Sequence, residues 1–271
     1  MRYSTAVITA YAALVSGHGL ITEIQGANNV TMPGLSVIDG TPRDCASPLC
    51  GSEDDTSIIR DRELDGNRAS ALGRTNGGGP VDADAAISTF MGGDAAKRAK
   101  ARRQTDSEGT KTTDGTVEDG VARAAGNGAT AGMPTCNDDG TITMTFHQVN
   151  QDGAGPLNAA IDPTSGGTDP DAFESAEMVV DVPGSGFLGL SRTTTTDFPI
   201  TVQMPTDMTC EGSAGGVDNV CIVRVRNDAV AGPFGGSAAF TQSPAARKRA
   251  VDYRMRKRHI TRGTMGKAEA N

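Results

Sequence analysis

From Thr141 onward the chain repeats one pattern: a short run of alternating apolar and polar residues, closed by Gly, Pro, Asn or Asp. Ile142, Met144 and Phe146 alternate with Thr143, Thr145 and His147, and Ile200, Val202 and Met204 repeat the spacing. A period of two is that of a strand with one apolar face. Such runs cover 141–149, 176–182, 198–204, 220–226 and 237–242, and an earlier one covers 20–25. No βαβ spacing appears among them. The pattern predicts an all-β chain, an antiparallel β-sandwich of the immunoglobulin or fibronectin kind with long loops. The best helical signal in the body is a turn around 57–64.

The amino terminus reads as a secretory signal over 1–17. Arg2 gives the charged start, Ala6 to Val15 the short apolar run, and Val15 and Gly17 the small residues before a cut. The run is too short to span a membrane. Five cysteines behind such a signal argue for disulfides in an oxidising compartment. Cys45 and Cys50 can close a short loop, and Cys210 and Cys221 flank a Gly-rich turn between two strand patterns. Each closure stabilises by roughly 2–4 kcal/mol. Cys136 is left over, as a free thiol or a link to another chain.

Two stretches break the strand pattern. Residues 76–135 are rich in Ala, Thr, Asp, Gly and Arg, and read as a mobile insertion in a single domain over 18–242. The run Lys97 to Arg103 inside it reads as a solvated charge run. Residues 243–271 read as a disordered basic tail. From 245 on, that tail holds nine Lys or Arg against two acids, a balance of +7, so the rest of the −8 chain carries −15. An acidic body is not built for nucleic acid or an anionic membrane.

The candidate site follows from the histidines, which number three, with His259 inside the basic tail. A cut after Gly17 makes His18 the first residue, offering its amine and ring Nδ1 to one metal. His147 ends a strand on its polar face and opens a loop, Gln148 to Pro156, of turn residues. Its imidazole adds a third nitrogen, and such a tetragonal nitrogen set suits copper. No carboxylate adjoins the two histidines in the sequence reading, which makes metal-assisted hydrolysis a poorer fit. No nucleophile elbow for a triad hydrolase is present either.

His18-Gly19-Leu20-Ile21 after a signal resembles the mature start of lytic polysaccharide monooxygenases. More closely, four stretches resemble the secreted appressorial (Gas/MAS-type) virulence proteins of pathogenic fungi: Gly34 to Arg60, Phe146 to Pro156, Val202 to Cys210, and Val220 to Gly236. The resemblance implies a copper-monooxygenase-like sandwich with metal ligands His18 and His147. It further implies Phe234 as the aromatic beside the metal and Gln242 as a nearby amide. The expected setting is outside the cell, as a monomer, at cell-wall polysaccharide such as chitin or cellulose during host penetration. The expected chemistry is oxidative attack on a glycosidic link. Against it stands a non-enzymatic surface or adhesion role, because the chain has no Trp and its tyrosines are only Tyr3, Tyr11 and Tyr253. Val225 and Ser237 stand where the family pattern has cysteines, which is consistent with one bridge being absent.

Overall fold

The computed structural model describes residues 18–64, 68–93, 117–184, 191–229 and 231–268, with side chains through 258. The proposed signal and the run Lys97 to Arg103 lie outside them. Twelve strands occur among the described residues. The first five are β1 (Gly19–Gln25), β2 (Thr31–Pro33), β3 (Ser57–Ile58), β4 (Arg74–Thr75) and β5 (Gly79–Pro80). The rest are β6 (Thr141–Gln148), β7 (Asn158–Asp162), β8 (Glu174–Val180), β9 (Thr196–Gln203), β10 (Gly212–Ala214), β11 (Val217–Arg226) and β12 (Phe234–Thr241). Their order is β2-β1-β6-β9-β8-β7-β11-β12-β3-β4-β5, with β10 on β11. Every pairing between these strands is antiparallel.

The sheet curls so that its two halves face each other. β8 makes the corner: Glu174 to Ala176 pair with β7, and Glu177 to Val180 pair with β9. β12 then comes to lie against β1. The approach is close at Gly236, where a Cβ would stand 2.6 Å from the Ile21 nitrogen. One core fills the space between the halves, with Ile21, Ile24, Ile142, Met144 and Phe146 from one and Ile161, Ile222, Val223 and Phe240 from the other. The all-β, sandwich-like reading holds. The helical turn expected over 57–64 begins later, because Ser57 and Ile58 pair with Gly235 and Phe234, leaving only α1 (Asp61–Leu64) helical.

The mobile insertion expected at about 76–135 needs correction where it is described. Residues 76–93 and 117–135 are built into the fold, as β5, α2 (Ala83–Phe90), α3 (Gly120–Ala124) and α4 (Gly128–Ala131). Asp82 caps α2 by accepting from the Ala85 N–H at 3.1 Å. Ala83, Ile87 and Phe90 recur at helical spacing, and all three are buried. Few apolar residues are present, but those few share one face. The Asp39 carboxylate accepts from the Val121 and Ala122 N–H groups at 2.9 and 2.7 Å, fixing the start of α3.

The disordered tail also needs correction, since residues 244–268 form α5 (Pro244–Ala268). Ser243 caps it, its Oγ accepting from the Ala246 N–H at 3.1 Å, and Pro244 stands in the first turn. Ala246 and Ala250, one turn apart, are each 3% exposed and seat the helix on the core. Both expected disulfides are present, with Cα separations of 6.7 Å for Cys45–Cys50 and 5.0 Å for Cys210–Cys221. Cys136 is a free, buried thiol whose pKa burial raises.

Candidate functional site

β1 and β6 bring the two histidines to one place. Leu20 pairs with His147, and the ladder runs one step further, the Val149 N–H donating to the His18 carbonyl at 2.9 Å. Alternation puts His18 and Leu20 on one strand, and His147 and Val149 on the other, on a common face. His18 is 2% exposed and His147 4%. The sequence places them well apart; the register makes them diagonal neighbours.

Each histidine meets a carboxylate, contrary to the sequence reading. Asp197 lies opposite His147 on β9, and its Oδ1 is 2.6 Å from His147 Nδ1. That contact holds the Asp197 carboxyl below its ordinary pKa. The other ring nitrogen, Nε2, is buried and has no hydrogen-bond partner. An imidazole fixed through Nδ1 by a carboxylate, with Nε2 unspent, is the arrangement that orients metal-binding histidines. His147 also lines a polar cleft of about 490 Å³ with Thr145, Thr195, Asp197, Arg43 and Glu118. Arg43 donates to both Asp55 oxygens at 3.0 and 2.6 Å and to Glu118 at 2.9 Å.

His18 has its own partners. Its backbone N–H donates to Asn150 Oδ1 at 2.7 Å, and its Nδ1 stands 3.1 Å from Glu53 Oε1. Asn150 Nδ2 also reaches that same Glu53 oxygen, at 2.9 Å. The backbone nitrogen and ring nitrogen of His18 therefore point into one small polar space. Phe234 closes it, with ring centroids 4.5 Å apart and planes tilted by 33°. Asn227 positions both walls. Its Oδ1 accepts from the Phe234 N–H at 3.0 Å, and its Nδ2 donates to the Asp152 and Ala154 carbonyls at 3.1 and 3.3 Å.

Gln242 is not part of this group. It follows the far end of β12, about eight residues and roughly 25 Å along the strand from Phe234. Both ends of its amide are engaged there, donating to the Met208 carbonyl at 2.9 Å and accepting from the Cys210 N–H at 3.0 Å. The sequence reading missed Glu53, Asp197 and Asn227. Nothing local marks them: each arrives through register or a distant loop.

Among the described residues no cluster of three or more His, Cys, Asp and Glu side chains has the geometry to hold a metal. A brace of two imidazoles and an α-amine is a different donor set, with one donor in the backbone. The residues present fit it in two respects: the converging nitrogens of His18, and the unpartnered Nε2 of His147.

An antiparallel sandwich with a histidine-bearing end and two disulfides belongs to the class of compact, bridge-stapled β proteins. The comparisons make the assignment finer. Residues 16–235 match the Egh16-like virulence factor family, and the chain belongs to that family. It is 58% identical to the appressoria-specific virulence factor GAS2 of Pyricularia oryzae, over 97% of both chains. It is 29% identical to the appressoria-specific virulence factor GAS1 of the same fungus, over 89% of this chain and 79% of that protein. No solved structure matches.

Proposed function

We propose that this virulence-family protein is secreted, binds copper through the His18 amine, His18 Nδ1 and His147 Nε2, and acts at cell-wall polysaccharide during host penetration. The observation that carries the reading is the buried, unpartnered Nε2 of His147, on an imidazole held by Asp197. A buried polar atom with no partner costs stability unless a ligand satisfies it. His18 supplies the other two nitrogens once the segment before it is removed. Bound copper would supply one-electron chemistry toward oxygen or peroxide. This chain's part is to orient His147 through Asp197 and to wall His18 with Phe234.

Calorimetry with Cu(II), on protein beginning at His18, tests the reading. Wild type is expected to bind tightly, and His147→Ala to lose most of that affinity while keeping its fold by circular dichroism. Equal affinity in the two would sink it.

A second reading, a non-enzymatic surface factor, is favoured by one observation. The only tyrosine among the described residues is Tyr253, on α5, and the chain has no Trp, so among the described residues no Tyr or Trp lines the His147 cleft to stack on a sugar ring. Tight copper binding without oxidised oligosaccharides from chitin or cellulose, given reductant and peroxide, would select it.

A further inference from the structure

The turn between β1 and β2 sets two asparagines side by side and uses the side chain of only one. Asn28 engages both ends of its amide, donating to the Met133 carbonyl at 2.9 Å and accepting from the Thr135 N–H at 3.2 Å. Those bonds fasten the hairpin to the stretch before β6. Asn29 is exposed, and its side chain makes no hydrogen bond among the described residues. Its backbone has φ 61°, a left-handed conformation that asparagine tolerates better than most residues. That preference accounts for an Asn or Gly at 29, but not for the threonine two residues on. Val30 and Met32 are buried at 8% and 2%, and Thr31 is exposed between them. Strand alternation thus turns residue 31 to solvent. The Thr31 hydroxyl also has no hydrogen-bond partner among the described residues. Asn29-Val30-Thr31 is the one Asn-x-Ser/Thr sequence in the chain.

We propose that Asn29 is an N-glycosylation site. The donor is an oligosaccharide carried on a polyprenyl diphosphate, the class of donor held in the secretory pathway. Asn29 Nδ2 bonds to C1 of the first sugar and gives up one proton. The bond from C1 to the diphosphate oxygen breaks, and the polyprenyl diphosphate leaves. The Thr31 hydroxyl is the second group that the transferase reads. β1 runs from Leu20, opposite His147, to Gln25 at the hairpin, roughly 17 Å at the rise of a strand. The glycan therefore stands at the other end of β1 from His18 and His147. It lies beside β2, an outermost strand of the sheet, and shields an edge that another chain could pair with. The inference rests on the proposed secretion, because the donor is met in that pathway, and not on copper.

The test expresses the chain in a fungal host in two forms. One keeps residues 1–17, and the other carries in their place a leader known to export other proteins. The leader form is recovered from the medium and treated with peptide N-glycosidase in heavy-oxygen water. The treatment is expected to leave a labelled Asp at position 29 and at no other asparagine. Thr31→Ser should keep the label and Thr31→Ala should lose it, with both folded by circular dichroism. If Thr31→Ala is not exported, Asn29→Gly, which the left-handed backbone accepts, serves instead and should be exported without label. An exported chain with Asn29 bare, or a label that survives Thr31→Ala, overturns the proposal. The form with residues 1–17 separates the two readings. If it stays in the cell unglycosylated while the leader form is labelled, the secretion reading fails and takes the natural glycan with it. If it is exported with Asn29 bare, the glycan alone is overturned.

Discussion

Gly153 sets how closely the loop after β6 approaches His18. A methyl group there collides with a backbone carbonyl, which cannot swing aside as a side-chain tip can. Gly153→Ala should cost about 1–3 kcal/mol or more, the range for overpacking a tight site, measured by urea unfolding. Glu63 makes a separate, pH-dependent contribution. Burial works against its carboxylate, but Arg60 at 3.0 Å and Arg74 at 2.8 Å outweigh it and hold its pKa below the ordinary value. A lowered carboxylate pKa stabilises the fold in full above the unfolded value, about 4.3, and that stability fades as pH falls through the folded value. Glu63→Gln should therefore be less stable than wild type at neutral pH. The gap should close below about pH 4, as denaturant titrations across the range will show.

Among the elements, α2 carries the clearest test that the stretch once read as an insertion belongs to the core. Ile87 is 0% exposed and Phe90 2%. Ile87→Ala should cost about 2–5 kcal/mol and Phe90→Ala about 3–5 kcal/mol, whereas an unpacked segment would lose almost nothing. The same element shows what the sequence made legible. β1, β6, β9, β11 and β12 are long enough for alternation to register. β3, β4 and β5 have two residues each, too few for any period. α2 was hidden because its core face is three residues set among Ala, Asp, Ser and Thr. α5 was hidden because Ala246 and Ala250 are the only buried residues among its described side chains, beneath a coat of Arg and Lys. In the site, His18 and His147 stood out by scarcity and placement, whereas Phe234 came only from the family resemblance. Gln242 did not join them because β12 carries it to the opposite end. Asp197 could have been found only by knowing that β9, not some other strand, lies beside β6.

At the scale of the molecule, the cysteines and the charge are arranged in ways that can be checked together. Cys136 is 2% exposed, and the other four cysteines are bridged. A thiol reagent should therefore find almost nothing in the native protein and one thiol per chain after unfolding. Peptide mapping that joins Cys136 to Cys45, Cys50, Cys210 or Cys221 would contradict the structure. The basic helix rests on an acidic body, with Lys257 3.7 Å from Asp207, an exposed pair of small worth in salt. The curled sheet ends in strand order with β2, three residues long and holding Pro33, and β5, two residues long and holding Pro80. Proline offers no N–H to an incoming strand, and so short a ladder gives another chain little to grip. The sheet is thus closed to growth at both ends. Even when crowded, this protein should behave as a stable colloid, its mass by light scattering unchanged as concentration rises and no fibre forming from stacked copies.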